Sequence, residues 1–120
     1  MESDHGHAVV EAADGILVHA NHIVSHLSLH ETYDGPERSA SYRRQERMTA
    51  LLAAERGRLT APLAMRCLTD HVNYPRSICR HSSGRGDIQT TAALVVAPAQ
   101  GRLHVVRGQP CCGWPATHRL

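Results

Sequence analysis

Residues 68–81 read LTDHVNYPRSICRH, and this stretch separates a helix-forming half of the sequence from a strand-forming half. Pro75 ends helical geometry, because the residue before a proline avoids the helical region. The stretch is polar and rich in turn-forming residues. We therefore expect it to build the connection from the helices to the sheet, with Arg80 or His81 holding it in place.

Within this stretch Asp70 directly precedes His71, and two interpretations of the pair stay open. A carboxylate that orients an imidazole is part of a catalytic triad. Adjacent residues on a helix, however, do not face each other. The sequence favours a structural role for the pair in the connecting turn.

Two helices are predicted before the stretch. The first runs over Glu37–Arg56, with a sparse apolar face opposite an arginine-rich one, and Gly57 suits the left-handed position just past its end. Thr60 is a good N-cap and Pro62 suits a first turn. A second helix is therefore expected from there to about His71.

Strand patterns follow the stretch and also occur near the N-terminus. Residues 88–97 are rich in Thr and Val and predict a buried strand, with residues 103–106 as its partner across a turn at 98–101. Residues 8–11 and 15–19 flank an Asp-Gly turn, which is a hairpin signal. The predicted fold class is α+β: a strand hairpin, two helices and a C-terminal β-hairpin.

The composition sets limits on the size of the core and on the partners. Leu, Ile and Val make up 24 of the 120 residues, with no Phe and one Trp, so the apolar supply for a single small domain is thin. The net charge of +2 argues against outright disorder. All thirteen basic residues are Arg, but they are spread through the chain, and no nucleic-acid partner is expected.

The four cysteines do not predict a metal site. None forms a C-x-x-C pair, and adjacent Cys111 and Cys112 make a poor zinc clamp. No signal peptide and no apolar stretch long enough for a membrane span is apparent, so we expect reduced thiols, a cytoplasmic location and no membrane partner. No cofactor and no bound metal are expected.

Three blocks of sequence carry a resemblance to a known family. They are Gly15–His22 (GILVHANH), residues 68–81 and Gly108–Cys111 (GQPC). In order and approximate spacing they resemble the C-terminal part of the acyl-coenzyme A:isopenicillin N acyltransferase-like proteins. These penicillin acyltransferase-type cysteine peptidases belong to the N-terminal nucleophile hydrolases.

The resemblance implies a fold and a division of the chain. Residues 8–112 would form the C-terminal portion of an acyltransferase-like hydrolase domain, holding part of an αββα sandwich. Residues 1–7 would be a disordered N-terminus and residues 113–120 an irregular tail. Because sandwich layers bury their faces against one another, a partial sandwich is expected to expose an apolar sheet face.

The resemblance also implies the site residues. In the family, a cysteine freed by self-cleavage after glycine attacks the acyl group, but these 120 residues contain no Gly-Cys pair. Asn21 is the implied oxyanion donor, with an Asn that caps a turn as the ordinary alternative. Arg43 and Arg44, after Ser39 and Ser41, fit a family Ser-x-x-Arg-like stretch, where an arginine would stabilise a thiolate or bind a carboxylate. A solvated helix face is the ordinary interpretation of such a pair and is favoured.

The resemblance predicts a truncated member of this acyltransferase and amidohydrolase family. The parent activity would be transfer or hydrolysis of an acyl group at an amide or thioester, and the chain alone is expected to be inactive. A separate polypeptide would supply the N-terminal portion, and acyl-coenzyme A or an amide would be a substrate only of the complete enzyme. A non-catalytic interaction or regulatory module is the alternative. A His-rich metal-binding protein, with His22, His26 and His30 four residues apart on a helix, ranks third.

Overall fold

The structure, a computed structural model, describes residues 11–22 and 35–120. Within these residues the elements are the helices α1 (Gly35–Ala54) and α2 (Ala61–Leu68), a 3-10 turn (Pro98–Gln100), and the strands β1 (Ala92–Ala97), β2 (Arg102–Arg107) and β3 (Ala116–Arg119). The strands form an antiparallel sheet in the order β1-β2-β3. The predicted α+β class is confirmed.

Both predicted helices are present, and their ends follow the local sequence signals. The hydroxyl of Thr60 accepts a hydrogen bond from the backbone N–H of Leu63, so Thr60 caps α2 as expected. Helix α1 ends at Ala54, two residues before the predicted end at Arg56, and Gly57, three residues past the helix, has the left-handed φ of 76°. Helix α2 ends at Leu68, three residues before the predicted end at His71. Among the described residues, neither helix is long and apolar enough to cross a lipid bilayer.

The first strand is shorter and more exposed than predicted. It begins at Ala92 rather than at Ile88: Thr90 bonds to the connecting stretch, whereas Thr91 still pairs with Gly108 in the register of the β1–β2 ladder. The N–H of Thr90 donates to the carbonyl of Arg80, and the carbonyl of Thr91 accepts from the N–H of Gly108. The strand is buried on one face only, with Leu94 58% exposed on the other.

Of the hairpin predicted near the N-terminus, the turn is present among the described residues. Asp14 and Gly15 have φ of 53° and 76°, and a single bridge pairs Ala13 with Ile16. No strand forms over residues 15–19, so that part of the prediction is wrong. Residues 8–10, like the termini predicted at 1–7, lie outside the described residues. One bridge gives too few cross-strand contacts to hold two strands together.

The predicted irregular tail is also wrong, because Ala116–Arg119 forms β3. This strand pairs with β2 from Arg102 opposite Arg119 to Val105 opposite Ala116. All four residues of β3 are exposed, so backbone hydrogen bonding rather than burial places the strand. A sequence of exposed polar residues offers no alternation that would have revealed it.

The core lies between α2 and the sheet. Met65 from α2, Ala93 from β1 and Val106 from β2 are buried together, and Leu68 and Val95 pack against them. Ala93 lies directly opposite Val106 in the sheet, so both side chains point to the same face, towards α2.

The opposite face of the sheet is apolar as well. Leu94 lies opposite Val105, and Val96 lies opposite Leu103, so these four side chains share one face. Leu94 and Val96 are 58% and 49% exposed. No helix among the described residues packs on this side. The expectation of an exposed apolar sheet face therefore agrees with the described part of the chain.

Candidate functional site

The side chain of Asn21 is oriented by helix α1. Nη2 of Arg44 donates a hydrogen bond of 2.8 Å to Oδ1 of Asn21. A guanidinium can only donate, so it is the amide oxygen that faces Arg44. The Nδ2 of Asn21 is thereby left to donate to another acceptor, which is the orientation that an oxyanion donor requires.

Ser41 fixes the backbone on either side of the same asparagine. Its buried hydroxyl accepts hydrogen bonds from the N–H groups of Asn21 and His22, at 2.8 and 3.1 Å. These two bonds use both lone pairs, so the hydroxyl proton is donated to Nδ1 of His22, which lies 2.9 Å away. Ser41 and Arg44 are three residues apart on α1 and so share one face of the helix.

His22 also takes part in this arrangement. It is 2% exposed and its ring stacks on that of Tyr42, with the centroids 3.7 Å apart. Its Nδ1 is already bonded to Ser41. The other two members of the proposed histidine row, His26 and His30, lie outside the described residues.

An open cleft lies beside Asn21 and Arg44. Val18, Met48 and Ile78 line its wall together with these two residues. Nη1 of Arg44 is buried and has no hydrogen-bond partner among the residues that the structure describes. The cleft therefore has apolar walls and is lined by an asparagine and an arginine, whose side chains carry hydrogen-bond donors.

Arg43 does not take part in this cleft. It lines a different one, on the side of α1 that faces the turn at residues 73–76, together with Pro36 and Ser39. Neighbouring residues on a helix point about 100° apart, so only one of two adjacent arginines can reach Asn21. The structure brings Arg44, and not Arg43, to the predicted oxyanion donor.

Asp70 does not orient His71. Its Oδ2 accepts hydrogen bonds from Nε and Nη2 of Arg47 at 3.0 and 2.7 Å, and its Oδ1 accepts one from the N–H of Val72. The hydrogen bonds from Arg47 hold the pKa of Asp70 below its ordinary value. The pair is structural, which was the interpretation that the sequence favoured.

The connecting stretch is tied to α1 through Glu37. Both terminal nitrogens of Arg80 donate to its carboxylate, at 2.8 and 3.1 Å, and Nε of Arg76 donates at 2.8 Å. These bonds, with that from Arg80 the strongest, lower the pKa of Glu37 to about 2. Arg80 thus holds the stretch in place, as predicted.

A second group of side chains gathers at the end of the connecting stretch. It consists of His71, Cys79, His81 and Cys111, which we call the thiol–imidazole cluster; one ligand-type atom from each lies within 4.8 Å of all the others. Backbone hydrogen bonds of residues 90 and 91 hold the two parts of the cluster near each other. Thr90 bonds to Arg80 beside Cys79 and His81, and Thr91 bonds to Gly108 at the end of β2.

Residues 1–111 match the family described as acyl-coenzyme A:6-aminopenicillanic acid acyl-transferase. The chain belongs to this family. No curated protein matches it significantly. The match includes Asn21, Arg44 and the whole of the thiol–imidazole cluster, so both groups of residues lie in the part of the chain that the family defines.

None of the thiols present resembles the nucleophile of an acyl-transferase. The pKa of Cys67 is raised by burial, that of Cys111 by burial, and that of Cys112 by its hydrogen bond to Cys111. An attacking thiol is a thiolate, which a lowered pKa would favour. Cys79 is fully buried, and no cysteine in the sequence follows a glycine.

Sequence reasoning placed Ser41 in the Ser-x-x-Arg-like stretch but did not predict its bonds to Asn21 and His22, because a serine inside a helix gives no sign of a distant partner. It missed the thiol–imidazole cluster, in which no two cysteines are suitably spaced. Two features of the sequence could have indicated the cluster. Cys79 and His81 are two residues apart in a turn, and two of the three blocks that carry the family resemblance contain a cysteine.

Proposed function

We propose that this chain provides the oxyanion side of an acyl-transferring active site and that the cysteine nucleophile comes from protein outside these 120 residues. The reaction is transfer or hydrolysis of an acyl group at an amide or thioester. The observation that carries the proposal is the hydrogen bond from Arg44 to Asn21, because it turns the amide N–H group of Asn21 away from α1. Family membership supplies the reaction class.

The chemistry assigned to each residue follows from its contacts. Attack on an acyl carbonyl places negative charge on its oxygen, and a fixed N–H donor lowers the energy of that state. Nδ2 of Asn21 is this donor. Arg44 positions the amide, and its positive charge lies next to the developing oxyanion. Ser41 holds the backbone of Asn21, so the donor does not have to be ordered during the reaction.

The apolar outer face of the sheet supports the need for a second part. Leu94, Val96, Leu103 and Val105 lie on the side that α2 does not cover. In a layered α/β sandwich such a face packs against another sheet. We propose that the layer which carries the nucleophile packs here, whether it comes from the same polypeptide or from a separate one.

The test joins this chain to the N-terminal part of a family enzyme that contains the Gly-Cys junction. We expect turnover of acyl-coenzyme A with 6-aminopenicillanic acid by the joined protein and none by the 120 residues alone. The Asn21→Ala variant of the joined protein should lose about 100- to 1000-fold in kcat with little change in KM. The matched control is Gln89→Ala, an exposed amide before β1, which should keep full activity.

Two results would contradict the proposal. Turnover by the 120 residues alone that is lost when one of the four cysteines is replaced would mean that the nucleophile lies in this chain. A joined protein that folds and self-cleaves but tolerates Asn21→Ala would remove Asn21 from the active site. If the joined protein assembled correctly and showed no turnover, the alternative of a non-catalytic interaction module would be favoured.

A further inference from the structure

We propose that the thiol–imidazole cluster binds one zinc ion, with His71, Cys79, His81 and Cys111 as its four ligands. The site would be structural and independent of acyl transfer. It would join the two ends of the connecting stretch, at His71 and at residues 79–81, to the turn after β2, which is 30 or more residues further along the chain.

Four of the six distances between the ligand atoms lie near those of tetrahedral coordination, and the two from His71 to the sulfurs are within 4.8 Å. With Zn–S near 2.3 Å and Zn–N near 2.0–2.1 Å, a tetrahedron places two sulfurs about 3.8 Å apart, two nitrogens about 3.4 Å, and a sulfur and a nitrogen about 3.6 Å. In the structure, the two Sγ atoms are 3.5 Å apart and the two Nε2 atoms 3.0 Å apart. Nε2 of His81 lies 3.7 Å from Sγ of Cys79 and 3.2 Å from Sγ of Cys111.

Hydrogen bonding alone does not account for these contacts. An imidazole nitrogen offers one donor or one acceptor position, directed in the plane of the ring. Nε2 of His81, however, has three close neighbours: Nε2 of His71 and the sulfurs of Cys79 and Cys111. Sγ of Cys111 also lies 3.4 Å from Sγ of Cys112, which is outside the cluster. Four ligand-type atoms gathered this closely are what a shared cation would hold.

The ligand types select zinc among the common divalent ions. Thiolate and imidazole suit Zn²⁺, whereas Mg²⁺ and Ca²⁺ prefer oxygen ligands. Two thiolates and two neutral imidazoles balance the charge of the ion, which matters because Cys79 is fully buried. Four protein ligands leave no open position for water or substrate, so the site is structural rather than catalytic.

The backbone already holds the ligands in place. The N–H of Cys79 donates to the carbonyl of Asp70, next to His71, at 3.0 Å. The N–H of Cys112 donates to the carbonyl of Gln109, which closes the turn that carries Cys111. The core of the described part is small, and a metal is one way in which small folds gain stability. A zinc ion would cross-link the connecting stretch to Cys111, as a disulfide does in other small proteins.

The first experiment measures zinc in the purified chain and is independent of enzymatic activity. Reduced protein is stripped with chelator, then supplied with Zn²⁺, and bound metal is counted. We expect about one zinc ion per chain and a rise in melting temperature on binding. Replacement of zinc by Co²⁺ should give the visible bands of tetrahedral cobalt with a thiolate-to-cobalt charge-transfer band.

Variants then identify the ligands. Cys79→Ser and Cys111→Ser should lose bound zinc, and the matched control Cys112→Ser should keep it, since Cys112 is outside the cluster. His104→Asn serves as the histidine control. A serine variant that fails to fold would also lose zinc, so a variant with a positive signal is needed. His71→Cys replaces one ligand with another, and misfolding could not produce the result expected for it. It should still bind one ion and should strengthen the thiolate-to-cobalt band.

Three results would overturn the proposal. The first is no zinc in reduced protein that is supplied with the ion. The second is a stable disulfide between Cys79 and Cys111 under the same reducing conditions, which would explain the proximity of the two sulfurs without a metal. The third is equal loss of zinc in Cys112→Ser and Cys111→Ser, which would place the ion on the adjacent thiols instead of in the cluster.

Discussion

At the scale of single residues, Ser41 is the contact on which the Asn21 region depends most. Its hydroxyl bonds to the N–H groups of two successive residues and to the ring of His22. Ser41→Ala leaves these buried groups unpaired, so we expect the free energy of unfolding to fall by about 1–3 kcal/mol. Ser39→Ala, at an exposed position on the same helix, should change it little; equal losses in denaturant titrations of the two variants would contradict this account.

Glu37 makes the stability of the chain depend on pH. Its folded pKa of about 2 lies below the ordinary value of 4.5. The ionised carboxylate therefore stabilises the fold above pH 4.5, and this contribution is lost as the pH falls from 4.5 towards 2. Glu37→Gln should cost about 1–2 kcal/mol at pH 7, with the difference from the unmodified chain shrinking below pH 4.5.

The control for that prediction is Glu46→Gln, at an exposed position on the same helix. Its difference from the unmodified chain should stay nearly flat between pH 7 and pH 3. Chemical denaturation at several pH values provides the measurement. A Glu37→Gln effect that did not depend on pH would mean that the two arginines do not stabilise the carboxylate in the folded state.

At the scale of elements, the turn between β2 and β3 packs closely against β2. A Cβ atom added at Gly113 would lie 2.7 Å from Cγ1 of Val106, a core residue that is 1% exposed. Gly113→Ala should therefore cost about 1–3 kcal/mol through overpacking. At Gly84 the nearest atom would be 3.9 Å away, so Gly84→Ala should be tolerated. Thermal unfolding of both variants tests this, and similar melting temperatures would disprove the close packing.

At the scale of the whole molecule, the fold is less compact than that of a typical single domain. The radius of gyration is 16.1 Å, against about 14 Å for a compact domain of this length. The buried apolar core has three members, and the outer face of the sheet exposes Leu94 and Val96. A face of this kind favours self-association until another layer covers it.

The outer face of the sheet is expected to drive self-association of the chain. Replacing Leu94 with Gln and Val96 with Thr should reduce self-association of the 120 residues in light scattering and leave the melting temperature nearly unchanged. The same double change should prevent assembly with the nucleophile-bearing layer. Ala93→Gln, on the buried face of the same strand, should instead destabilise the chain by several kcal/mol. Unchanged self-association in the double variant would mean that the chains do not associate through the outer face of the sheet.

Comparison of the sequence with the structure separates local signals from distant ones. Thr60 with Pro62 located the start of α2, and the Asp-Gly turn at residues 14 and 15 is where it was expected. Strand β3 gave no signal, because its side chains are exposed and its partner is β2. The choice between Arg43 and Arg44 also could not be made, since it depends on where α1 lies relative to Asn21.

The chain's own order of residues determined its helices, its turns, the β1–β2 hairpin, its family and the absence of a Gly-Cys pair. The helices, turns and hairpin depend on interactions between residues a few positions apart, and the family and the absence of a Gly-Cys pair are read directly from the sequence. Only the tertiary structure decided which arginine orients Asn21 and that two cysteines meet two histidines. The contact of Arg44 with Asn21 and those of Cys111 with residues 71–81 join residues 23 to 40 positions apart, and loop closure of that length leaves no periodic trace in a sequence.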